Sequence, residues 1–295
     1  MNAEPPRRLP VTITPFTAET IGSFLTRLAR ESSLRIKTLI QWLGPPLTRR
    51  QITPVTDTMA HWQSTNLIRL EHLTGRPLNR LALALPALTD TLAGRESDPT
   101  SSVIRACRSC TAAKGIAPPV YRRARPHEHL CQRHRRWLRA ATDTDLTRAP
   151  EVLTAQNQLN ALAGRHDEDA MISDALREAH KVISAWLTRT WHPALNQRWD
   201  SRLSSLLGQD APRPSAPAAT VPAVIHPEVV TITSAILSCL AGADPDRELF
   251  NLAITLGLPS GRTPGDRDPL RHCLRQSAER ATPRKPDGAI SSETN

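Results

Sequence analysis

The chain has 295 residues, room for two domains or three small modules. Its hydrophobic fraction is 39%, below the ~45–50% of a compact globule, and 26 prolines place part of that shortfall in a linker and a loose tail. The 38 Lys and Arg against 28 Asp and Glu leave a formal charge of +10, while no apolar run approaching the ~18–20 residues of a bilayer span is read, which excludes an integral membrane protein at this level.

From Met1 to Pro10 the chain is polar and Pro-rich, with no apolar stretch of signal-peptide type, so a cytoplasmic location is expected. Ile21, Phe24, Leu25, Leu28 and Ala29 then form one apolar stripe at helical spacing, with Thr20 placed to cap it. Ser32-Ser33 interrupts that helix. Ile36, Leu39, Ile40 and Leu43 continue as a second helix, stopped by Gly44 and Pro45-Pro46. Leu67, Leu70 and Leu73 lead to Gly75, and Pro77 opens a helix carrying Leu78, Leu81, Ala82 and Leu85. The unit Leu67–Leu85 has the length and turn chemistry of a helix-turn-helix, although plain packing of a helical hairpin gives the same pattern.

Farther on, helical stripes run through Val152–Ala163, Ile172–Leu187 and Leu195–Leu207, the core of a helical bundle. The expected organisation is mainly α. A helical N-terminal domain spans 10–94 and a small zinc-binding module 103–139. A helical bundle spans 140–210, a Pro/Ala linker 211–227, a small helical unit 228–258 and a disordered tail 259–295.

The charge is concentrated. Val103–Arg139 holds 10 basic residues and one acid, Glu128. The same stretch holds Cys107-x2-Cys110 and, after twenty intervening residues, Cys131-x2-His134. Two knuckles of paired ligands supply three thiolates and one imidazole, the closed four-ligand set of one structural Zn2+. His127 and His129 flank the second knuckle, but His134 has the better spacing. Cys239 reads as a small core residue and Cys273 as isolated. Around the site, Arg105, Arg108, Arg122, Arg123, Arg125, Arg133, Arg135 and Arg136 are the candidate nucleic-acid contacts, since a guanidinium fork can hold two phosphate oxygens. Lys114 and Arg139 add to the charge, Tyr121 offers aromatic surface, and Trp137 reads as packed beneath the knuckle.

A catalytic zinc keeps an open position and a carboxylate base, whereas this set is saturated and Glu128 is the module's one acid. A zinc nuclease or hydrolase is therefore the weakest reading. No G-x-x-x-x-G-K-S/T or G-x-S-x-G sequence occurs, and the H-x-E before P-C-x-x-C order of nucleobase deaminases is absent.

Three segments together resemble the TniQ/TnsD family of transposition target-selection proteins. They are Pro15–Ala29, with its acidic residue, Ser, apolar pair and Leu-Ala ending; Leu67–Leu85 with Leu73-Thr74-Gly75; and the module with Cys-x2-Cys, Tyr121-Arg122-Arg123 and Cys-x2-His. Arg108 stands where the family's first knuckle often carries Pro, and a second finger found in some members is missing. The resemblance covers about residues 10–140. It implies an adaptor rather than an enzyme, which helps choose an insertion site and recruits an AAA+ ATPase and through it a transposase. Its implied partners are DNA and, for some members, an RNA-guided complex, with a homodimer left open and no membrane. The alternative is a zinc-stabilised helix-turn-helix transcription regulator reading DNA through Leu67–Leu85.

Overall fold

A computed structural model describes residues 8–48, 52–96, 100–139, 143–166, 168–189, 192–207, 222–258 and 268–281. The chain divides into two units, Met1–Asp145 and Leu146–Asn295.

In the first unit, α1 (Ile21–Glu31) starts where the Thr20 hydroxyl accepts the Ser23 N–H at 3.1 Å. Ser33, in the left-handed region at φ 55°, turns the chain into α2 (Ile36–Leu43). Gly22 lies on the buried side of α1, where a Cβ would come within 1.8 Å of the Thr53 carbonyl oxygen. Only glycine lets the 53–56 loop cross that close. Next come α3 (Ser64–Thr74), α4 (Leu78–Ala82) and α5 (Pro86–Leu92). Gly75 sits in the left-handed region at φ 61° and turns α3 into α4, as its place in the sequence requires. The second helix stops at Ala82, earlier than the apolar spacing predicts. Leu85 is extended (ψ 96°) because Pro86 follows it and disfavours the helical region. Leu25, Leu28, Leu39, Leu43, Leu70, Leu73, Leu81 and Leu88 fill the shared core. Each such side chain contributes about 1.5–3 kcal/mol on burial.

The rest of the unit is the small cysteine-rich module. Strands β1 (Ser102–Arg105) and β2 (Tyr121–Ala124) pair antiparallel, with Arg105 opposite Tyr121, and enclose α6 (Arg108–Ala112). Beyond them, β3 (Leu130–Cys131), β4 (Arg136–Trp137) and β5 (Thr144–Asp145) make a three-stranded antiparallel sheet. Because β5 lies beyond Arg139, the module's sheet runs past the boundary expected from the charge pattern.

The module is stitched into the helical part by the residues just before α1. The Arg123 N–H donates to the Ala18 carbonyl at 2.8 Å and the Thr20 N–H to the Tyr121 carbonyl at 2.9 Å, so Ala18–Thr20 acts as a third strand on β2. The Tyr121 N–H donates to Ser23 Oγ at 3.1 Å, and Phe16 packs with Ala106 and Val120.

The second unit is wholly helical among the described residues: α7 (Pro150–Arg165), α8 (Asp169–Arg189), α9 (Pro193–Leu207), α10 (Pro222–Leu240), α11 (Pro245–Thr255) and α12 (Pro269–Ala281). At its centre α10 packs against α7, α8, α11 and α12. The core is continuous from Leu159 and Ile183 through Val229 and Ile236 to Leu252 and Leu274. Three sequence expectations change here. The stretch expected as linker ends inside α10, because Pro222 stands at the first helical position, where its missing N–H is not needed. Pro227 stays within the same helix. The stretch expected as loose tail contains α12, whose Leu270, Cys273, Leu274 and Ser277 form a buried i, i+3, i+4, i+7 stripe. Finally, α10 is long and apolar enough by composition to cross a bilayer, with mean hydropathy 1.6, yet 72% of that window is buried inside the unit. The remaining linker and tail positions, 211–221, 259–267 and 282–295, lie outside the described residues.

Candidate metal centre

Cys107 caps α6, Cys110 lies one turn on within that helix, Cys131 ends β3, and His134 sits in the turn between β3 and β4. Their ligand atoms all fall within 4.8 Å of one another. Cys110 Sγ is 3.6 Å from Cys131 Sγ and 3.2 Å from His134 Nδ1, which is itself 3.6 Å from the sulfurs of Cys107 and Cys131. Two sulfurs at ~2.3 Å from one tetrahedral ion stand roughly 3.7 Å apart, and a sulfur and an imidazole nitrogen somewhat less. The four side chains therefore have the dimensions to hold one metal ion through Sγ, Sγ, Sγ and Nδ1.

The electrostatics agree. Burial, and then the neighbouring thiols of Cys131 and Cys107, push the Cys110 thiol up to about 12. Burial likewise raises Cys107. The Cys107 and Cys110 thiols thus resist ionisation by themselves, and a dication among the ligands reverses that preference. Beneath the knuckles Trp137, 1% exposed, stacks on His129 with ring centroids 5.4 Å apart. His129 thus serves packing beside the ligand set, and His134 supplies the imidazole that converges with the sulfurs.

The eight candidate arginines separate into groups. Arg123 on β2 is tied down by Asp57 and Asp90, each at 2.5 Å. Those two carboxylates outweigh the effect of burial and raise the Arg123 guanidinium, whereas burial holds Asp57 above the ordinary carboxylate range. Arg122 pairs with Glu128, and Arg136 lies 3.5 Å from Asp145. Arg108, Arg125, Arg133 and Arg135 are exposed, while Arg105 is half-buried. Arg139 serves structure: its guanidinium donates to the carbonyls of Arg125, Pro126 and Glu128 and to Ser102 Oγ. Asp57 and Asp90 escape a reading of the module's own sequence because they come from the helical part.

A second buried constellation underlies the first. The Glu19 carboxylate, 0% exposed, accepts the Phe16 N–H at 2.7 Å, Ser23 Oγ–H at 2.9 Å, and Arg27 Nε and Nη2 at 2.8 Å each. Ser23 and Arg27 fall one turn apart on α1, Glu19 lies in the extended segment just before it, and the three are spaced i, i+4, i+8 amid an apolar run. That is the signal by which the sequence announces them.

No curated protein and no solved structure matches the chain. Residues 10–138 match the TniQ family model, a span that begins ahead of the Glu19 constellation and closes just past the last ligand. That domain carries a general role as an adaptor in transposition. The chain is thus similar to the TniQ family through residues 10–138, somewhat less than half of its length.

Proposed function

We propose that the protein is a DNA-associated adaptor for transposon target-site selection, with no catalysis of its own, that recruits an AAA+ ATPase and through it a transposase. One Zn2+ held by Cys107, Cys110, Cys131 and His134 fixes the module's fold, and the exposed arginines around it contact phosphates. The observation that carries this reading is the position of Arg133 and Arg135. Both are exposed on the turn that also bears His134, so the metal knot sets where their charges stand. Arg135 holds φ 49°, a left-handed conformation that a fixed turn maintains. Arg125 lies exposed in the same module, and Arg108, also exposed, lines a cavity beside the first knuckle and stands apart from these phosphate contacts. Arg122, Arg123 and Arg136, tied to carboxylates, shape the platform more than they reach from it.

Duplex binding by the full chain, followed by anisotropy across a salt series, tests this reading. Each phosphate contact contributes about 0.9 to the slope of log K against log salt, so Arg133→Gln with Arg135→Gln should reduce it by about 1.8. An unchanged slope refutes the assigned contacts. Metal analysis of the purified chain should give one zinc, lost in Cys110→Ser with unfolding of the module. A metal-free, fully folded chain would refute the structural zinc.

A further inference from the structure

Beside the first knuckle lies a cavity of about 520 Å³ that the zinc reading does not use. It opens between the end of β1, α6 and the 115–120 loop. Its size falls in the ~300–1,000 Å³ range of sites that enclose a small ligand or a short run of side chains. Its lining combines the cationic Arg105 and Arg108 and the polar Ser109 with the apolar Ile116, Pro118 and Pro119.

The two arginines differ from most of the module's cations. Arg122, Arg123 and Arg136 have carboxylates, Arg139 has carbonyls, and Lys114 sits 4.6 Å over the Phe16 ring. Arg105 Nε is buried with no acceptor, and neither the Arg105 nor the Arg108 guanidinium makes an ion pair or hydrogen bond among the described residues. The nearby acid, Asp143, is engaged with backbone, accepting the Arg108 N–H at 2.8 Å. Two guanidinium groups that line a cavity and meet no acceptor among the described residues leave donors for an acceptor from outside.

We propose that this cavity docks an acidic, apolar peptide segment of a protein partner. A carboxylate is held by Arg105 and Arg108, and an adjacent apolar side chain packs on Ile116, Pro118 and Pro119. Charge complementarity selects the carboxylate, for which the guanidinium fork is shaped. The apolar wall selects a peptide over the other anions. The convex backbone of a duplex does not enter a concavity of this kind, a stacked single strand would want aromatic faces that the lining lacks, and a free phosphate would leave the apolar half unused. The site deepens the adaptor reading by giving the protein partner a seat distinct from the Arg133–Arg135 turn.

The test uses the full chain and a fluorescein-labelled peptide of alternating Asp and Leu, read by anisotropy. Saturable binding is expected, with a dissociation constant of roughly tens of micromolar. Arg105→Gln and Arg108→Gln should each weaken it about tenfold or more, while Arg133→Gln leaves it unchanged. Replacing Asp by Asn in the peptide, or Leu by Ser, should weaken it as well. These two arms require no change in the protein and stand even where Arg105→Gln misfolds, which zinc content and melting would reveal. Absence of binding, equal binding of the Asn peptide, or displacement of the peptide by inorganic phosphate or by short duplex DNA would each overturn the proposal. Loss of duplex binding in Arg133→Gln with peptide binding intact supports two separate sites. Failure of duplex binding alone refutes the DNA reading and leaves this one standing.

Discussion

Glu19→Gln is the most informative single change in the first unit. The carboxylate is 0% exposed and holds Arg27, itself 4% exposed, through two contacts of 2.8 Å. The amide keeps one oxygen and turns an NH2 toward donors. The Arg27 charge then stays buried with no counter-charge, its acceptors reduced to the one amide oxygen and the Thr14 carbonyl at 3.1 Å. Breaking a buried pair by removing one partner costs about 3–5 kcal/mol. The residual Thr14 contact places the expected loss near the lower end, about 3 kcal/mol, a large share of the ~5–15 kcal/mol of a whole domain. Native-state hydrogen exchange over α1 reads this free energy for the first unit, because the Leu25 and Leu28 amides lie in its core. Pairing the change with Arg27→Leu should recover part of the loss, with a coupling of about 2 kcal/mol in the double-mutant cycle. A single-variant loss under about 1 kcal/mol, or strict additivity, would refute the claim that this pair anchors the domain.

In the second unit, Arg202 is buried against Glu228 at 3.0 Å, with Glu151 at 2.9 Å and the Val224 carbonyl as further acceptors. Arg202→Met should cost about 3–5 kcal/mol in urea unfolding, most of it regained when Glu228→Met is added. Asp268 accepts the Leu270 N–H at 2.7 Å and the Trp186 Nε1–H at 3.3 Å, and burial raises its carboxyl from the ordinary value of 3.8. The folded state thus holds this proton more tightly than the unfolded chain. The stability it contributes is full below the ordinary value and lost as pH rises through the folded one. Asp268→Asn keeps both acceptor contacts without the buried charge. Its melting temperature relative to the native chain should therefore rise between acid and neutral pH, and a constant difference would refute the linkage.

What the sequence reveals depends on how far apart the partners lie. The knuckles were legible because each ligand pair is local, and α1, α2 and α3 because their stripes and stop signals are local too. The fates of Arg122 and Arg123 were not. Adjacent and alike in sequence, they are neutralised by Glu128 from six residues away and by Asp57 and Asp90 from the helical part. Proline content misled the reading at α10 and α12, where Pro222 and Pro269 begin helices, an N1 placement that composition cannot distinguish from a linker. The cavity at Arg105 was invisible for a further reason: it exists only where the 115–120 loop folds back beside α6.

The junction between the module and the helical part sets a limit on how the metal centre works by itself. Excised residues 100–145 would retain all four ligands but lose the Ala18–Thr20 strand, the Ser23 contact to the Tyr121 N–H, and Phe16 from its packing with Ala106 and Val120. Three hydrogen bonds at about 1 kcal/mol each amount to roughly 3 kcal/mol that the intact unit contributes to holding β2, and hence the knuckles, in place. Because metal affinity at such a site is also folding free energy, the excised peptide should bind zinc about two orders of magnitude more weakly than the full chain in competition with a chromophoric chelator. Restoring residues 8–96 should restore the affinity, and Glu19→Gln in the full chain should reproduce part of the deficit. Equal affinity in peptide and full chain would show the knot to be self-sufficient. The link from Glu19 through Ser23 to β2 would then serve the helical domain alone.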